Sequence, residues 1–198
     1  MSFSGDQAQS FFTPLWGRTA TFLLDERESN LQFARTIVAL AGCIGEACSI
    51  LDLDALYSAD ANATFSRPAD SEATRILLPP PGAEVEVEFP KLFEAQQRVI
   101  IVDSLNSLYH LLSQADARSR SRKLTFAVES LSYLARKNNK AAVLTMYRRE
   151  WSGRQGRSRP ISRLSDITAE VEIGNGELSV RSERGSAWSG GRFSTRIP

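Results

Sequence analysis

The chain has 198 residues, 42% of them apolar and 24% charged, which is the make-up of a folded globular protein and excludes a disordered or fibrous chain. No apolar run approaches the roughly 18 residues of a membrane span, and Met1 to Gln9 lack the basic start and apolar stretch of a secretory signal. An intracellular protein is therefore expected, cytoplasmic in a prokaryote or nuclear in a eukaryote, with no membrane partner. The net charge of +1 hides a segregation: Arg118 to Arg163 carry a local balance of +11, with only Glu129 and Glu150 as acids, and the rest of the chain carries −10.

In chain order, Thr19 to Leu24 is a β-rich run and predicts the first strand. Ser29 or Asn30 can cap a helix whose apolar positions Leu31, Ala34, Ile37, Val38 and Ala41 recur at helical spacing, with Gly42 as its stop. Cys48 to Leu53 predicts a second strand, and the polar stretch from Tyr57 to Thr74 a loop. The two cysteines, Cys43 and Cys48, match no metal motif, and with His110 the single histidine a zinc site lacks ligands. They read as small buried hydrophobes, so neither a metal nor a cofactor is expected.

Arg75 to Leu78 predicts a short third strand, stopped by Pro79, Pro80 and Pro81, and Pro90 can open a short helix through Leu92, Phe93 and Ala95. Val99 to Val102 is an unbroken apolar run, the mark of a strand covered on both faces. Leu124, Ala127, Val128, Leu131, Leu134 and Ala135 form one helical stripe ended by Asn138-Asn139, and Ala141 to Met146 is a fifth strand. Arg148 to Arg163 has little apolar pattern. Ile167 to Ile173 and Glu177 to Arg181 flank Gly174-Asn175-Gly176, a hairpin signal, because Asn and Gly accept positive φ cheaply. The tail from Ser186 can add an edge strand. The sum is an α/β protein: one domain with a mostly parallel central sheet, helices on its faces and a C-terminal antiparallel hairpin.

Ligands of open α/β sheets bind beyond the carboxyl ends of the strands. The fourth strand ends in Asp103, so Val99-Ile100-Ile101-Val102-Asp103 has the pattern of a Walker B strand, whose carboxylate holds magnesium on nucleotide phosphates; many buried strands also end in Asp for capping alone. The partner motif would read G-x-x-x-x-G-K-[ST] after the first strand. Leu24-Asp25-Glu26-Arg27-Glu28-Ser29 has no glycine and no lysine there, and Glu28 stands in the lysine's place if Ser29 takes that of the Ser/Thr. Each carboxylate held about 4 Å from a phosphate charge costs roughly 4 kcal/mol at an effective dielectric near 20. Loss of ATP binding follows as the expectation.

The wider arrangement resembles the superfamily of RecA/RadA recombinases and their paralogs, from about Phe12 to Arg184. Phe12-Thr13-Pro14-Leu15-Trp16-Gly17-Arg18 is similar to that family's lead into its first strand, and Ile50-Leu51-Asp52-Leu53-Asp54 to its second-strand segment. Val99 to Asp103 with Ser104-Leu105-Asn106-Ser107-Leu108 is the closest match. The resemblance implies a RecA-like core without a separate N-terminal DNA-binding domain. Asp54 then takes the place of the catalytic glutamate, and Thr145-Met146-Tyr147 that of a Thr-Asn-Gln sensor. Glu28, Ser29, Asp54 and Asp103 become the remnant of a nucleotide site, with Asp103 bonded to the backbone or to Ser29. The resemblance also places Arg118, Arg120, Arg122 and Lys123 in a first DNA-binding loop before the long helix, and Arg148 to Arg163 in a second.

Single-stranded nucleic acid is held by a cationic strip with a flat ring for stacking. Arg148, Arg149, Arg154, Arg157 and Arg159 with Trp151 supply both, although such a loop can also be merely solvated, or Trp151 folded back on the core. Three functions stay open. The first is a non-catalytic recombinase-like paralog that binds single-stranded or junction DNA beside a recombinase partner in DNA repair. The second is a structural subunit of a RecA-fold ring or heterodimer, Elongator-like or Shu-like, that meets RNA or protein. The third is a residual nucleotide binder using Asp54 and Asp103. A homo- or hetero-oligomer is expected in either of the first two.

Overall fold

A computed structural model describes residues 3–25, 27–57, 74–79, 96–112, 117–148, 164–184, 187–188 and 191–197. Eight strands form one sheet: β1 (Thr19–Leu24), β2 (Cys48–Asp52), β3 (Thr74–Leu77), β4 (Val99–Asp103), β5 (Ala141–Tyr147), β6 (Ile167–Gly174), β7 (Glu177–Arg184) and β8 (Arg192–Arg196). Their order is β3-β2-β4-β5-β1-β6-β7-β8. The pairings from β3 through to β6 are parallel, and only β6–β7 and β7–β8 are antiparallel. The expected α/β architecture with its C-terminal hairpin is therefore present. β1, β2, β4 and β5 are buried along their whole length, as central strands covered on both faces are.

Among the described residues the α-helices are α1 (Gly5–Phe12), α2 (Arg27–Cys43), α3 (Leu105–Leu111) and α4 (Ala117–Asn138). Alternate residues of each strand serve opposite faces. Phe22, Leu24, Ile50, Val99, Ile101 and Val143 pack with Phe11, Phe12, Phe33 and Ile37 of α1 and α2. Leu23, Leu51, Ile100, Val102 and Leu144 pack with Leu105 and Leu108 of α3 and Leu124, Val128 and Leu131 of α4. Among the described residues no helix is long and apolar enough to cross a membrane.

Several boundaries differ from expectation. α2 begins at Arg27, so Ser29 and Asn30 lie inside its first turns rather than capping it, and it ends past Gly42. The stop is Gly45, in the left-handed region at φ 72°, while Glu46 N donates to Ala41 O (3.0 Å), a Schellman closure that needs a residue without Cβ strain. α4 begins at Ala117, seven residues before the stripe read from Leu124. No glycine or proline interrupts 117–123, and Arg, Lys and Ser are tolerable helix residues, so the helix extends N-terminally without an apolar stripe. The hairpin turn is Asn175-Gly176, at φ 53° and 72°, the two positive values of a type I′ turn. The expected helix after Pro90 and most of the 57–74 loop lie outside the described residues.

Candidate functional site

β4 and β1 end on either side of β5, and the helices that follow them leave on opposite faces: α3 after β4 and α2 after β1. This is the crevice at which α/β sheets hold their ligands. Asp103 sits in it fully buried. Its Oδ1 accepts from Thr145 Oγ1 of β5 (2.8 Å) and from Asn30 Nδ2 of α2. The same Asn30 amide donates to Tyr147 Oη at the end of β5 (2.8 Å). The predicted partner Ser29 is thus replaced by its neighbour. Asn30 is the fourth residue of α2, and its side chain reaches across the end of β5.

Tyr57 lies near the same carboxyl. Asp52, itself buried at the end of β2, accepts from the amides of Leu56 (2.9 Å) and Tyr57 (3.0 Å), which folds the chain back and drives the tyrosine ring into the crevice. Burial pushes the Tyr57 hydroxyl far above its ordinary pKa, and the nearby Asp103 adds to the effect. Burial also raises the Asp103 carboxyl, while hydrogen bonds from Tyr57, Thr145 and Asn30 pull it partly back. Tyr57 Oη, Asp103 Oδ2 and Asn30 Oδ1 nevertheless lack a partner at full hydrogen-bond geometry.

Asp54 is held apart from Asp103. Its carboxylate accepts from Ser104 Oγ (3.2 Å) and from Ser107 Oγ, the N-cap residue of α3 and a residue of its first turn. The Asp103–Ser104 peptide is cis. Asn106 anchors the other side of α3: Asn106 Oδ1 accepts from Tyr147 N (2.9 Å) and its Nδ2 approaches Tyr147 O (3.5 Å). Between β1 and α2 only residues 25 and 26 are available, too few to wrap a phosphate with backbone amides. The side chain of Glu28 lies outside the described residues. Among the described residues no group of three His, Cys, Asp or Glu side chains could hold a metal ion.

The basic residues divide. Arg118, Arg120, Arg122 and Lys123 belong to the first two turns of α4, not to a loop; Arg122 and Lys123 are exposed, while the side chains of the other two lie outside the described residues. Helix backbone holds them where a loop was expected because its hydrogen bonds satisfy the main chain without any partner. Arg148 is half-buried and engaged: it pairs with Glu170 of β6 and approaches Asp25 at 3.9 Å. Arg181 of β7 meets the same Glu170, and its hydrogen bond is the main cause that holds the Glu170 carboxyl below its usual range. Arg149, Trp151, Arg154, Arg157 and Arg159 lie outside the described residues.

Sequence reasoning missed Tyr57, Asn30 as a side-chain ligand of Asp103, and the two short helices. For α1 and α3 a signal existed: Ser4 and Gln7 form a capping box, and Ser104 precedes Leu105 and Leu108 at helical spacing. For Tyr57 none existed, because only the fold brings it to Asp103. Compared with models of known protein families the chain matches none, and a search of curated proteins found no match either.

Proposed function

We propose that this chain is a non-catalytic, RecA-like accessory protein that binds single-stranded nucleic acid rather than ATP. The observation that carries the reading is the filled crevice. The carboxylate that would hold magnesium accepts from Asn30 and Thr145 and is covered by Tyr57, and only two residues of sequence separate β1 from α2, where a phosphate-wrapping loop would lie. In the chain, positive charge is concentrated in two segments that follow neighbouring strands. The segment 149–163 leaves the carboxyl end of β5, and α4 starts one short helix after the carboxyl end of β4, the neighbouring strand. A backbone-tracking strip with Trp151 for stacking predicts binding with little sequence preference.

The test is a fluorescence-anisotropy titration of the full chain with labelled single-stranded DNA across a salt series. Binding should weaken as salt rises, and Arg154→Ala, Arg157→Ala and Arg159→Ala together should reduce the salt slope by about two, roughly 0.7 per lost phosphate contact. Absent binding, or binding indifferent both to salt and to these substitutions, would sink the reading. Micromolar binding of Mg-ATP by calorimetry would replace it with the nucleotide reading. A second reading, a structural subunit of a RecA-fold assembly, draws support from two aromatic side chains left exposed on α4, Phe126 and Tyr133. Native mass spectrometry of material from the source separates the two, since this reading demands a stable complex of fixed stoichiometry.

A further inference from the structure

α4 turns a second face to solvent, opposite the stripe that covers the sheet. At about 100° per residue, Arg122, Phe126, Glu129 and Tyr133 fall on one line along the helix. All four are exposed, Phe126 by 66% and Tyr133 by 62%. A shallow open groove of about 350 Å³ lies beside Phe126, lined by Ser121, Arg122, Thr125, Phe126 and Glu129. A large ring left in water is the kind of side chain that anchors an interface.

The charges decide which partner fits. Arg122 precedes Phe126 by four positions and Glu129 follows it by three, so the ring is flanked by opposite charges at nearly equal distances. Rotating such a face by 180° about an axis through Phe126 exchanges the two charges. Two copies of α4 laid antiparallel therefore set Arg122 of each against Glu129 of the other. The two Phe126 rings then meet at the axis, beside Thr125 of each copy. A surface that is its own complement in this way is the condition for an isologous two-fold interface. The carboxylate of Glu129 in the middle of the line disfavours a phosphate backbone there. Lys123, about 100° round the helix from Arg122, stays at the solvent edge, so it adds little repulsion between copies.

We propose that this face is a self-docking surface and that the chain forms a two-fold dimer through antiparallel α4 helices, with Phe126 as anchor and Arg122 and Glu129 as reciprocal ion pairs. The inference does not rest on the nucleic-acid reading. In the dimer Arg122 is occupied by the partner, which leaves Lys123 and the arginines of 149–163 for any polyanion. An interface of two rings and two ion pairs is small, and its dissociation constant belongs near the micromolar range.

Sedimentation velocity and light scattering of the full chain, without nucleic acid, provide the test. The mass should rise from one copy towards two as the concentration approaches roughly 100 µM. Arg122→Glu alone and Glu129→Arg alone each set like charges face to face and should weaken the dimer at least about tenfold, the scale of a repulsive pair at an interface. The double variant Arg122→Glu/Glu129→Arg should recover the dimer, because each helix then again supplies both signs. Phe126→Ala should weaken it without changing the circular-dichroism spectrum. A wild-type chain that stays monomeric, or a double variant no better than either single one, overturns the proposal. So does a monomer whose single-stranded DNA affinity falls with Phe126→Ala, since the face would then be a stacking platform. Anisotropy with DNA and mass in its absence are independent readouts, so the dimer and the nucleic-acid reading can fail separately.

Discussion

At the end of β4, Asp103 has one oxygen satisfied by Thr145 and Asn30 and the other without a hydrogen-bond partner, with the Tyr57 hydroxyl nearby. Its raised pKa sets the sign of a pH effect. The folded chain keeps the proton above the ordinary value of 3.8, at which the unfolded chain releases it. The native state then binds more protons than the unfolded one, so this residue's contribution to stability declines as pH rises from about 4 towards the raised value. Asp103→Asn keeps the acceptor for Thr145 and Asn30 and places an amide donor against Tyr57 Oη. It should leave stability nearly unchanged at pH 4 and raise it by roughly 1–3 kcal/mol at pH 8, the scale of relieving one buried unsatisfied polar group. Urea unfolding of the two proteins across that range measures this. A loss of stability at pH 8 would mean that the carboxylate has a partner that the amide cannot replace. Asp103 itself was legible in the sequence, because a buried strand that ends in Asp is a recognisable pattern. Its protein-filled setting was not, because Asn30, Tyr57 and Thr145 lie 73, 46 and 42 positions away.

Among the elements, α3 does more than its seven residues suggest. Ser104 caps it, Ser104 and Ser107 hold Asp54, and Asn106 ties the backbone of Tyr147 to it. The end of β5, from which the arginine-rich segment departs, is thus hung on one buried amide. Asn106→Ala removes the acceptor of Tyr147 N and strands that amide in the interior. It should cost about 1–3 kcal/mol, while Asn106→Asp, which keeps the acceptor oxygen but brings a buried charge, should grow more harmful as pH rises. Chemical denaturation at pH 5 and pH 8 distinguishes the two variants. Periodicity identified the apolar core of α4 and of α2 but misplaced both starts. A stripe records only the turns that touch the sheet, and a helix can run on past them wherever its own hydrogen bonds suffice.

Across the whole molecule, the two ends of the chain share one aromatic cluster. Phe11 of α1 stacks on Trp188 at 5.8 Å and meets Phe193 of β8 edge-on at 5.0 Å. Trp188 Nε1 donates to Phe11 O (3.2 Å). Phe22 of β1 lies within the same group, 6.1 Å from Phe11. The antiparallel extension β6–β8 is thereby locked to the parallel part of the sheet through the N-terminal helix, not only through its strand pairing. Phe11→Ala opens a cavity in that joint and should cost roughly 3–5 kcal/mol. Unfolding should remain a single transition by tryptophan fluorescence and by far-ultraviolet circular dichroism. Two separated transitions would show that the hairpin end melts on its own.

Local order was determined by the sequence alone: which segments are strands, that the sheet is mostly parallel, where the hairpin turns, and that β4 ends in an acid. These follow from apolar periodicity and from residues such as Asn175 and Gly176 whose backbone preferences act over two or three positions. The tertiary structure alone decided what surrounds that acid. It also decided that the Arg118–Lys123 cluster lies on a helix, and that Arg148 is drawn to Glu170 and Asp25. Each of these depends on contacts between residues far apart in the chain, and their free energy exists only once the strands are side by side.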